Sequence, residues 1–348
     1  MSTPANPTGP SSAPLDRHGR PLRDLRISVM DRCNFRCPYC MPESRYGEHF
    51  KFLRNDQRLD FDELERLCTL ATQLGVSKLR LTGGEPLLRQ DLVELVERLR
   101  RIPGIDDLAM TTNGVLLPRH ADALRAAGLD RVTVSLDTLD PAIYHRMSGN
   151  RGVLDDVIAG IQAARAAGFP HGVKINSVVQ RGINEDGVLE LVERFRGTGV
   201  VVRFIEYMDV GNRNDWNPDA VVPAQELVER IDARWPLEAV PPRYPGEVAT
   251  RYRFADGAGE VGMITSISQP FCGACSRARL SSEGVLYTCL FATRGTDLRA
   301  PLREGASDDE LLDLLRSVWQ RRGDRYSEER AKRRAAKSRK IEMHYIGG

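Results

Sequence analysis

Hydrophobic and polar positions along most of the chain follow two alternating periods, one typical of strands and one typical of helices. Short apolar runs such as LRISVM, KLRLTGG and RVTVSLD predict strands. Each is followed by a run with apolar residues three or four apart, such as FDELERLCTLATQLG or VLDDVIAGIQAARAAG, which predicts a helix. About six such strand–helix steps lie between Leu25 and Asp209. This alternation predicts a parallel sheet covered by helices, either open or closed into a barrel.

The regular pattern stops towards both ends of the chain. Residues 1–21 are rich in Pro, Ser, Thr and Gly and offer almost nothing to bury, so we expect a disordered extension there. The strand–helix part, 22–235, should give way to a smaller α+β region at 236–348. Within that region, the Lys/Arg-rich segment 321–340 is most simply explained as a solvated helix or tail.

Composition describes an ordinary soluble protein and excludes several function classes. The chain has 348 residues, is 41% apolar and 28% charged, and carries a net charge of +2. This balance gives no general attraction to nucleic acid or membranes. The sequence has no apolar run long enough to span a bilayer and no targeting pattern. Seven cysteines, an odd number and mostly clustered, fit metal ligands in a reducing compartment, so we expect a cytoplasmic enzyme.

Three cysteines lie close together in the loop after the first predicted strand. Cys33, Cys37 and Cys40 have the spacing C-x3-C-x2-C. Thiolates are the usual ligands of iron–sulfur clusters, and a complete [4Fe–4S] cubane takes about four of them. Three protein ligands would leave one iron open, and an open coordination position is typical of a metal that takes part in chemistry.

A second group of three cysteines lies near the other end of the chain. Cys272, Cys275 and Cys289 again offer three thiolates, which favours two clusters, each with one open iron. A zinc site built from one C-x2-C pair of each group remains an alternative, although it would leave one cysteine of each group without a role. The seventh cysteine, Cys68, lies on the apolar face of a predicted helix and should be buried.

Basic residues occur inside several predicted strands. They are Arg26, Lys78, Arg80, Lys174, Arg277 and Arg279, and strand alternation puts Lys78 and Arg80 on the same face. Any one of them could point outwards, but several cations facing the inside of a closed sheet would be costly without an anion to meet them. Guanidinium groups match phosphate oxygens well. The strands therefore favour an anionic ligand such as a polyphosphate.

Taken together, these motifs resemble the radical S-adenosylmethionine superfamily, through CNFRCPYC and TGGEP. Within it, FCGACSRARLSSEGVLYTCL and the final IGG are similar to the GTP 3′,8-cyclase family of molybdenum cofactor biosynthesis. The resemblance implies an α/β fold with an incomplete parallel (βα)6 barrel, a partial TIM barrel closed by the smaller C-terminal region. It implies two [4Fe–4S] clusters and S-adenosylmethionine as cofactors. The implied reaction converts GTP to (8S)-3′,8-cyclo-7,8-dihydroguanosine 5′-triphosphate.

The resemblance also implies roles for individual residues. The first cluster would be held by Cys33, Cys37 and Cys40, and the second by Cys272, Cys275 and Cys289. Residues expected to contact S-adenosylmethionine are Tyr39, Gly84, Ser135 and Met208. Residues expected to contact GTP are Arg26, Arg80, Thr111, Lys174, Arg277, Ala278 and Arg279. The catalytic set would be Arg277, Arg279, Gly347 and Gly348, with the two glycines entering the active site as a tail.

Partners and rival functions complete these expectations. The resemblance implies an electron donor and a downstream enzyme that takes the cyclised product, and it allows a homodimer. No membrane or nucleic-acid partner is expected. One alternative is a radical S-adenosylmethionine enzyme that modifies a peptide and uses its second cluster for structure. The other is a zinc-stabilised module that binds nucleic acid through the basic segment.

Overall fold

The predicted alternation of strands and helices forms the first part of the fold. A computed structural model of the protein describes residues 13–335 and 340–347. Within these ranges the strands are β1 (Asp24–Met30), β2 (Lys78–Gly83), β3 (Asp107–Thr112), β4 (Arg131–Ser135), β5 (Val173–Val179), β6 (Val201–Glu206), β7 (Leu237–Val240), β8 (Thr250–Phe254), β9 (Glu260–Ile264), β10 (Arg277–Leu280), β11 (Val285–Tyr287) and β12 (Thr296–Asp297). The helices are α1 (Phe61–Thr72), α2 (Leu92–Arg100), α3 (Leu117–Ala126), α4 (Pro141–Met147), α5 (Leu154–Ala166), α6 (Val188–Phe195), α7 (Ala224–Asp232), α8 (Arg299–Arg303), α9 (Asp308–Gln320), α10 (Arg330–Ala335) and α11 (Met343–Ile346).

All of these strands belong to one sheet with the order β12-β11-β10-β1-β2-β3-β4-β5-β6-β9-β8-β7. The run from β10 through β1–β6 to β9 is parallel throughout, and the strands at both edges are antiparallel. No hydrogen-bonded pairing joins β7 to β12 in the described part of the chain, so the sheet stays open. The prediction of an incomplete parallel barrel is confirmed.

Side-chain alternation along the strands separates a hydrophobic core from an inner wall. On β6, Val202 and Phe204 are buried in the core, whereas Arg203 and Ile205 line a cavity. The apolar faces of the helices cover the core side. Cys68 lies there on α1 and is fully buried, as expected for a small apolar side chain.

The C-terminal region continues the same sheet instead of packing as a separate body. Strand β9 pairs with β6, and β10 pairs with β1, so residues 236–348 extend both sides of the barrel formed by residues 22–235. Helix α11 near the C-terminus lies against β1 and β2. The tail therefore packs against the strands that lead to the first cysteine group.

The predicted disordered extension, 1–21, is wrong for residues 13–21. Leu15 forms a β-bridge with Pro21, and Asp16 and Arg20 are buried. The segment is ordered because its charged groups meet Arg322, whose guanidinium lies 3.0 Å from the carboxylate of Asp16. Residues 1–12 lie outside the described ranges.

The basic segment 321–340 is also not a simply solvated tail. Arg322 is buried, and Arg330 and Lys340 lie 2.9 and 2.8 Å from the carboxylate of Asp209. Their charges therefore stabilise the packing of the chain end against the loop after β6. Residues 336–339 of this segment are not among those described. Across the described residues, no helix has the length and apolarity needed to cross a bilayer.

Candidate active site

A cavity of about 460 Å³ lies along the inner side of the parallel strands. At the C-terminal ends of the strands its wall includes the first cysteine group and Gly84. At the N-terminal ends its wall includes Asp24, Lys78 and Asp107, the first residues of β1, β2 and β3. Ligands of parallel α/β folds usually bind only at the C-terminal ends. Here the cavity extends the full length of the strands.

The TGGEP motif holds the first cysteine loop against the end of β2. Gly84 N–H donates to the Met30 carbonyl at 2.7 Å, and Glu85 N–H donates to the Arg32 carbonyl at 2.7 Å. A Cβ on Gly84 would overlap the Arg32 carbonyl oxygen. Glycine at 84 therefore allows the two backbones to approach closely, and a larger residue would push the cysteine loop away.

A buried carboxylate joins this motif to the TTNG motif after β3. Glu85 is 1% exposed and accepts hydrogen bonds from Thr112 Oγ1 at 2.7 Å and from Asn113 N–H at 2.8 Å. Its burial raises the pKa to about 7. The Asn113 amide in turn donates to Asn34 Oδ1, inside the cysteine loop, at 2.7 Å. Two strand ends thus support the loop by a continuous set of hydrogen bonds.

Strand register places the second cysteine group at the opposite end of the cavity. Arg277 on β10 pairs with Asp24 at the start of β1, so Cys275 lies at the N-terminal ends of the strands. Strand β11 runs antiparallel to β10 and returns Cys289 to the same end. Strand β1 ends at Met30, about 20 Å away at roughly 3.3 Å per residue. A zinc site drawing on both groups is therefore wrong, because the two groups lie too far apart.

The first group has the chemistry of a cluster site. Burial raises the pKa of the Cys33 thiol to about 12. Burial, followed by the charges of the neighbouring thiolates, also raises the pKa values of Cys37 and Cys40. Three thiolates this close together need a bound cation, and an iron–sulfur cluster supplies one. The backbone N–H of Phe35 already points at Cys33 Sγ from 3.4 Å.

The second group fits a cluster for a different reason. The guanidinium groups of Arg277 and Arg322 each lie 3.1 Å from Cys275 Sγ. Burial alone would raise the pKa of Cys275, but these two cations outweigh it and lower the pKa to about 6. At Cys289, burial raises the pKa to about 12, and the N–H of Phe291 lies 3.4 Å from the sulfur. The guanidinium and N–H groups at this end of the cavity would stabilise an anionic group bound by the cysteine thiolates.

Between the two cysteine groups, the cavity wall carries cations without carboxylate partners. Among the described residues, Arg26, Arg80, Lys174 and Arg203 form no ion pair, and all four line the cavity. Burial, and then the charges of Arg203 and Arg131, lower the pKa of Lys174 to about 6. A bound polyanion would relieve the repulsion among these cationic side chains, so the cavity wall matches a ligand with several phosphates.

Threonine hydroxyls orient two of these guanidinium groups. Arg80 donates to Thr111 Oγ1 at 3.0 Å and to Thr133 Oγ1 at 3.3 Å. Arg203 also donates to Thr133 Oγ1, at 3.4 Å. Burial, followed by neighbouring guanidinium groups, lowers the pKa of both arginines to about 9. They therefore keep their charge at neutral pH while lacking an anion.

The four residues expected to contact S-adenosylmethionine all line the same end of the cavity as the first cysteine group: Tyr39, Gly84, Ser135 and Met208. Tyr39 donates its hydroxyl to Asp137 Oδ2 at 2.7 Å, and burial raises the pKa of that carboxyl to about 6. Met208 packs against the small hydrophobic cluster of Val210, Phe291 and Tyr326.

The C-terminal tail lies against β1 and meets side chains of the strands on either side of it, β10 and β2. Arg279 donates a hydrogen bond to the carbonyl of Gly347 and lies 3.4 Å from the carbonyl of Ile346. Gly347 has a positive φ of 69°, and a Cβ there would overlap the methyl group of Thr82. Only glycine fits this position without moving its neighbours. Gly348, the other predicted tail residue, lies outside the described residues.

Comparisons with known proteins bear on the whole chain. The sequence model of the radical SAM superfamily matches residues 27–195, and that of Molybdenum Cofactor Synthesis C matches residues 200–328. GTP 3′,8-cyclase of Xanthomonas axonopodis pv. citri (strain 306) is 58% identical over 97% of this chain and 100% of that protein. The chain belongs to the GTP 3′,8-cyclase family. The relative from Acidothermus cellulolyticus is 52% identical over 96% of this chain and 98% of its own length.

A solved structure of methylornithine synthase is also similar, with a TM-score of 0.48 and 16% identity, over 61% of this chain and 62% of that one. Membership of the GTP 3′,8-cyclase family, with its radical SAM domain, gives the protein S-adenosylmethionine and [4Fe–4S] clusters as cofactors.

The sequence prediction for this GTP 3′,8-cyclase family member missed some cavity residues and included one that lies elsewhere. Arg203 lines the cavity but was not predicted, whereas Lys78, which also lines it, was predicted to share a face with Arg80 but was not among the expected GTP contacts. Ala278 does not line the cavity, because strand alternation turns its methyl group into the hydrophobic core on the other side of β10. Only its two neighbours, Arg277 and Arg279, reach the cavity.

Proposed function

We propose that the protein converts GTP to (8S)-3′,8-cyclo-7,8-dihydroguanosine 5′-triphosphate in the cavity between its two cysteine groups. The observation that carries this proposal is the arrangement of that cavity. Each end has three thiols, and the wall between them has cations without carboxylate partners. A nucleoside triphosphate matches this arrangement, because its phosphates would meet the cations while its base and sugar lie between two cluster sites.

In this proposal Cys33, Cys37 and Cys40 hold the first [4Fe–4S] cluster, and Tyr39, Gly84, Ser135 and Met208 surround S-adenosylmethionine. When bound, the cluster and S-adenosylmethionine would supply the radical chemistry needed to abstract a hydrogen atom from the ribose. The protein's own contribution is to orient these groups. The buried Glu85, with its three hydrogen bonds, fixes the loop that carries the cysteines. The bond between Tyr39 and Asp137 fixes the ring next to the cofactor position.

At the other end, Cys272, Cys275 and Cys289 hold the second cluster, next to the guanine. The residues proposed to contact GTP are Arg26, Arg80, Thr111, Lys174, Arg277 and Arg279, with Lys78 and Arg203 added from their positions in the wall. Ala278 contributes backbone only in this arrangement. The cations bind the triphosphate and so hold C3′ and C8 of the nucleotide in place while bulk water is excluded.

The proposed catalytic set is Arg277, Arg279, Gly347 and Gly348. Arg279 bonds the carbonyl of Gly347, so the tail and the arginine position one another. Arg277 lies next to Cys275, where it faces both the second cluster site and the cavity. In this position the two arginines stabilise negative charge that develops on the nucleotide during cyclisation.

The test is anaerobic incubation of the reconstituted protein with S-adenosylmethionine, dithionite and GTP. We expect 5′-deoxyadenosine and a cyclised guanosine triphosphate, both detected by mass spectrometry. ATP in place of GTP should give neither product above the substrate-free level. Deoxyadenosine that forms without any increase on adding GTP, and without a cyclised nucleotide, would overturn the proposal. Deoxyadenosine formed only with a peptide would instead identify the peptide-modifying alternative.

The proposed function also places the protein among partners. The one-electron chemistry needs a protein electron donor, and the cyclised product needs a downstream enzyme that rearranges it further. All seven cysteines are free thiols, which supports a reducing compartment, and we propose the cytoplasm. A homodimer is a further proposal, made by analogy with the family.

A further inference from the structure

A buried ionic network lies behind the second cysteine group. Asp16 accepts hydrogen bonds from Arg20 Nε at 2.6 Å and from Arg322 Nη1 at 3.0 Å. The side chains of Asp16, Arg20 and Arg322 are 0%, 2% and 1% exposed. The network joins two parts of the chain that are 306 residues apart in sequence.

Two fully buried guanidinium groups share the fully buried carboxylate of Asp16, whereas the second carboxylate near Arg322, that of Asp324, lies 3.8 Å away and is 32% exposed. Burying ions costs several kcal/mol for each ion unless their charges and hydrogen bonds are satisfied. Stability alone is therefore a weak reason for such a group. The Cys275 sulfur, 3.1 Å from Arg322 Nη2, offers a further partner for this charge when it is a thiolate.

The two guanidinium groups contact every segment that carries a cysteine of this group. Arg20 donates to the carbonyl of Cys272 at 2.7 Å. Arg322 donates to the carbonyl of Cys275 at 2.7 Å and to its sulfur at 3.1 Å. Arg322 also donates to the carbonyl of Thr288, the residue before Cys289, at 3.0 Å. The three ligand segments thus share one rigid support.

We propose that Arg322, held by Asp16 and Arg20, is a positioning residue for the second cluster and tunes it through a hydrogen bond to the Cys275 thiolate. The support sets the spacing of the three ligand segments. The hydrogen bond and positive charge at the sulfur stabilise the reduced, more negative cluster and so raise its reduction potential. The proposal rests on the second cysteine group holding a cluster. It gives residues 13–21 a role in the chemistry of a site at the other end of the chain.

The experiment isolates the second cluster. A parent variant with Cys33, Cys37 and Cys40 changed to Ser removes the first cluster, and anaerobic reconstitution should then give about four irons per chain. Potentiometric titration followed by electron paramagnetic resonance gives the midpoint potential and the spectrum of that cluster. In this parent, Arg322→Gln should move the midpoint to a more negative value and change the spectrum. Arg321→Gln, at the exposed neighbouring position, is the matched control and should change neither.

Two further variants keep the test decisive if Arg322→Gln fails to fold, which circular dichroism of the protein before reconstitution would reveal. Arg277→Gln removes the other hydrogen bond to the Cys275 sulfur and should also move the midpoint to a more negative value. Asp16→Asn keeps the shape of the support but removes its charge, so a ferrous chelator should extract iron severalfold faster. Arg17→Ala, which changes an exposed side chain next to Asp16, should leave the extraction rate unchanged.

Different results overturn different conclusions. A parent that binds no iron would refute the cluster assignment itself, and with it the proposed function. If the parent loads its cluster, unchanged potential, spectrum and chelation rate in the folded variants would overturn only the role of Arg322 and Asp16. Cyclisation activity is not needed for either conclusion.

Discussion

The lowered pKa of Lys174 predicts how GTP binding depends on pH. Burial, and then the guanidinium groups of Arg203 and Arg131, lower the pKa of this ammonium group to about 6 when no anion is present. A triphosphate next to Lys174 favours its charged form and raises the pKa again. Binding of GTP above pH 6 should therefore take up a proton from solution.

The size of the effect follows from the pKa. At pH 7.5 the free side chain is about 1.5 units above its pKa, and charging it costs about 2 kcal/mol at roughly 1.4 kcal/mol per unit. As pH rises from about 7 towards the pKa of the bound form, the affinity for GTP should fall by about tenfold per unit. The affinity should fall, not rise, with increasing pH, because Lys174 is mostly neutral above pH 6 and part of the binding free energy is then used to protonate it.

Anaerobic titration calorimetry with GTP measures the proton uptake directly. The reconstituted protein is used without S-adenosylmethionine and in two buffers of different ionisation enthalpy. At pH 7.5 the unaltered protein should take up about one proton more than Lys174→Met. The control is Lys78→Met, because Lys78 already lies 3.5 and 3.4 Å from the carboxylates of Asp24 and Asp107. Equal uptake by the unaltered protein and Lys174→Met would refute the reasoning.

Three further predictions concern the cysteine loop, the tail and the chain end. Gly84→Ala should reduce bound iron to about half, because the added methyl group displaces the cysteine loop. The control is Gly187→Ala, where the added methyl group would lie 3.5 Å from its nearest neighbour, Thr138 Oγ1, and iron content should stay complete. Gly347→Ala should retain iron and GTP binding but lose cyclisation, since a methyl group there overlaps Thr82; full activity would contradict this. Asp209→Asn should lower the free energy of unfolding by about 3 kcal/mol, since its side chain is 7% exposed and pairs with two cations; superimposable denaturation curves would argue against it.

Features that depend on near neighbours in sequence were predictable. The alternation of strands and helices predicted the parallel sheet covered by helices, because side-chain period follows directly from backbone geometry, whereas the incomplete barrel was implied by the family resemblance. The same period identified Arg80 and Lys174 as members of one wall, and it also shows why Ala278 lies on the other side. The predicted cysteines needed only their spacing to be recognised as two groups.

Features that depend on distant pairing were not predictable. The composition of residues 13–21 indicates disorder, yet Asp16 and Arg20 are buried because Arg322 meets them from far along the chain. The placement of the two cysteine groups at opposite ends required the register between β1 and β10. Arg203, the one basic residue of β6, was not predicted, and it is the parallel pairing of β6 with β5 that brings it into the same wall as Lys174.

Strand β1 gives the separation of the two cysteine groups an unusual origin. The first group begins three residues after its last residue, Met30, and the second lies next to its first residue, Asp24, through the pairing with Arg277. The span between the two sites is therefore set by the length of one seven-residue strand and by its pairing with β10. A larger substrate would require a longer strand, so the strand acts as a ruler for the molecule it admits.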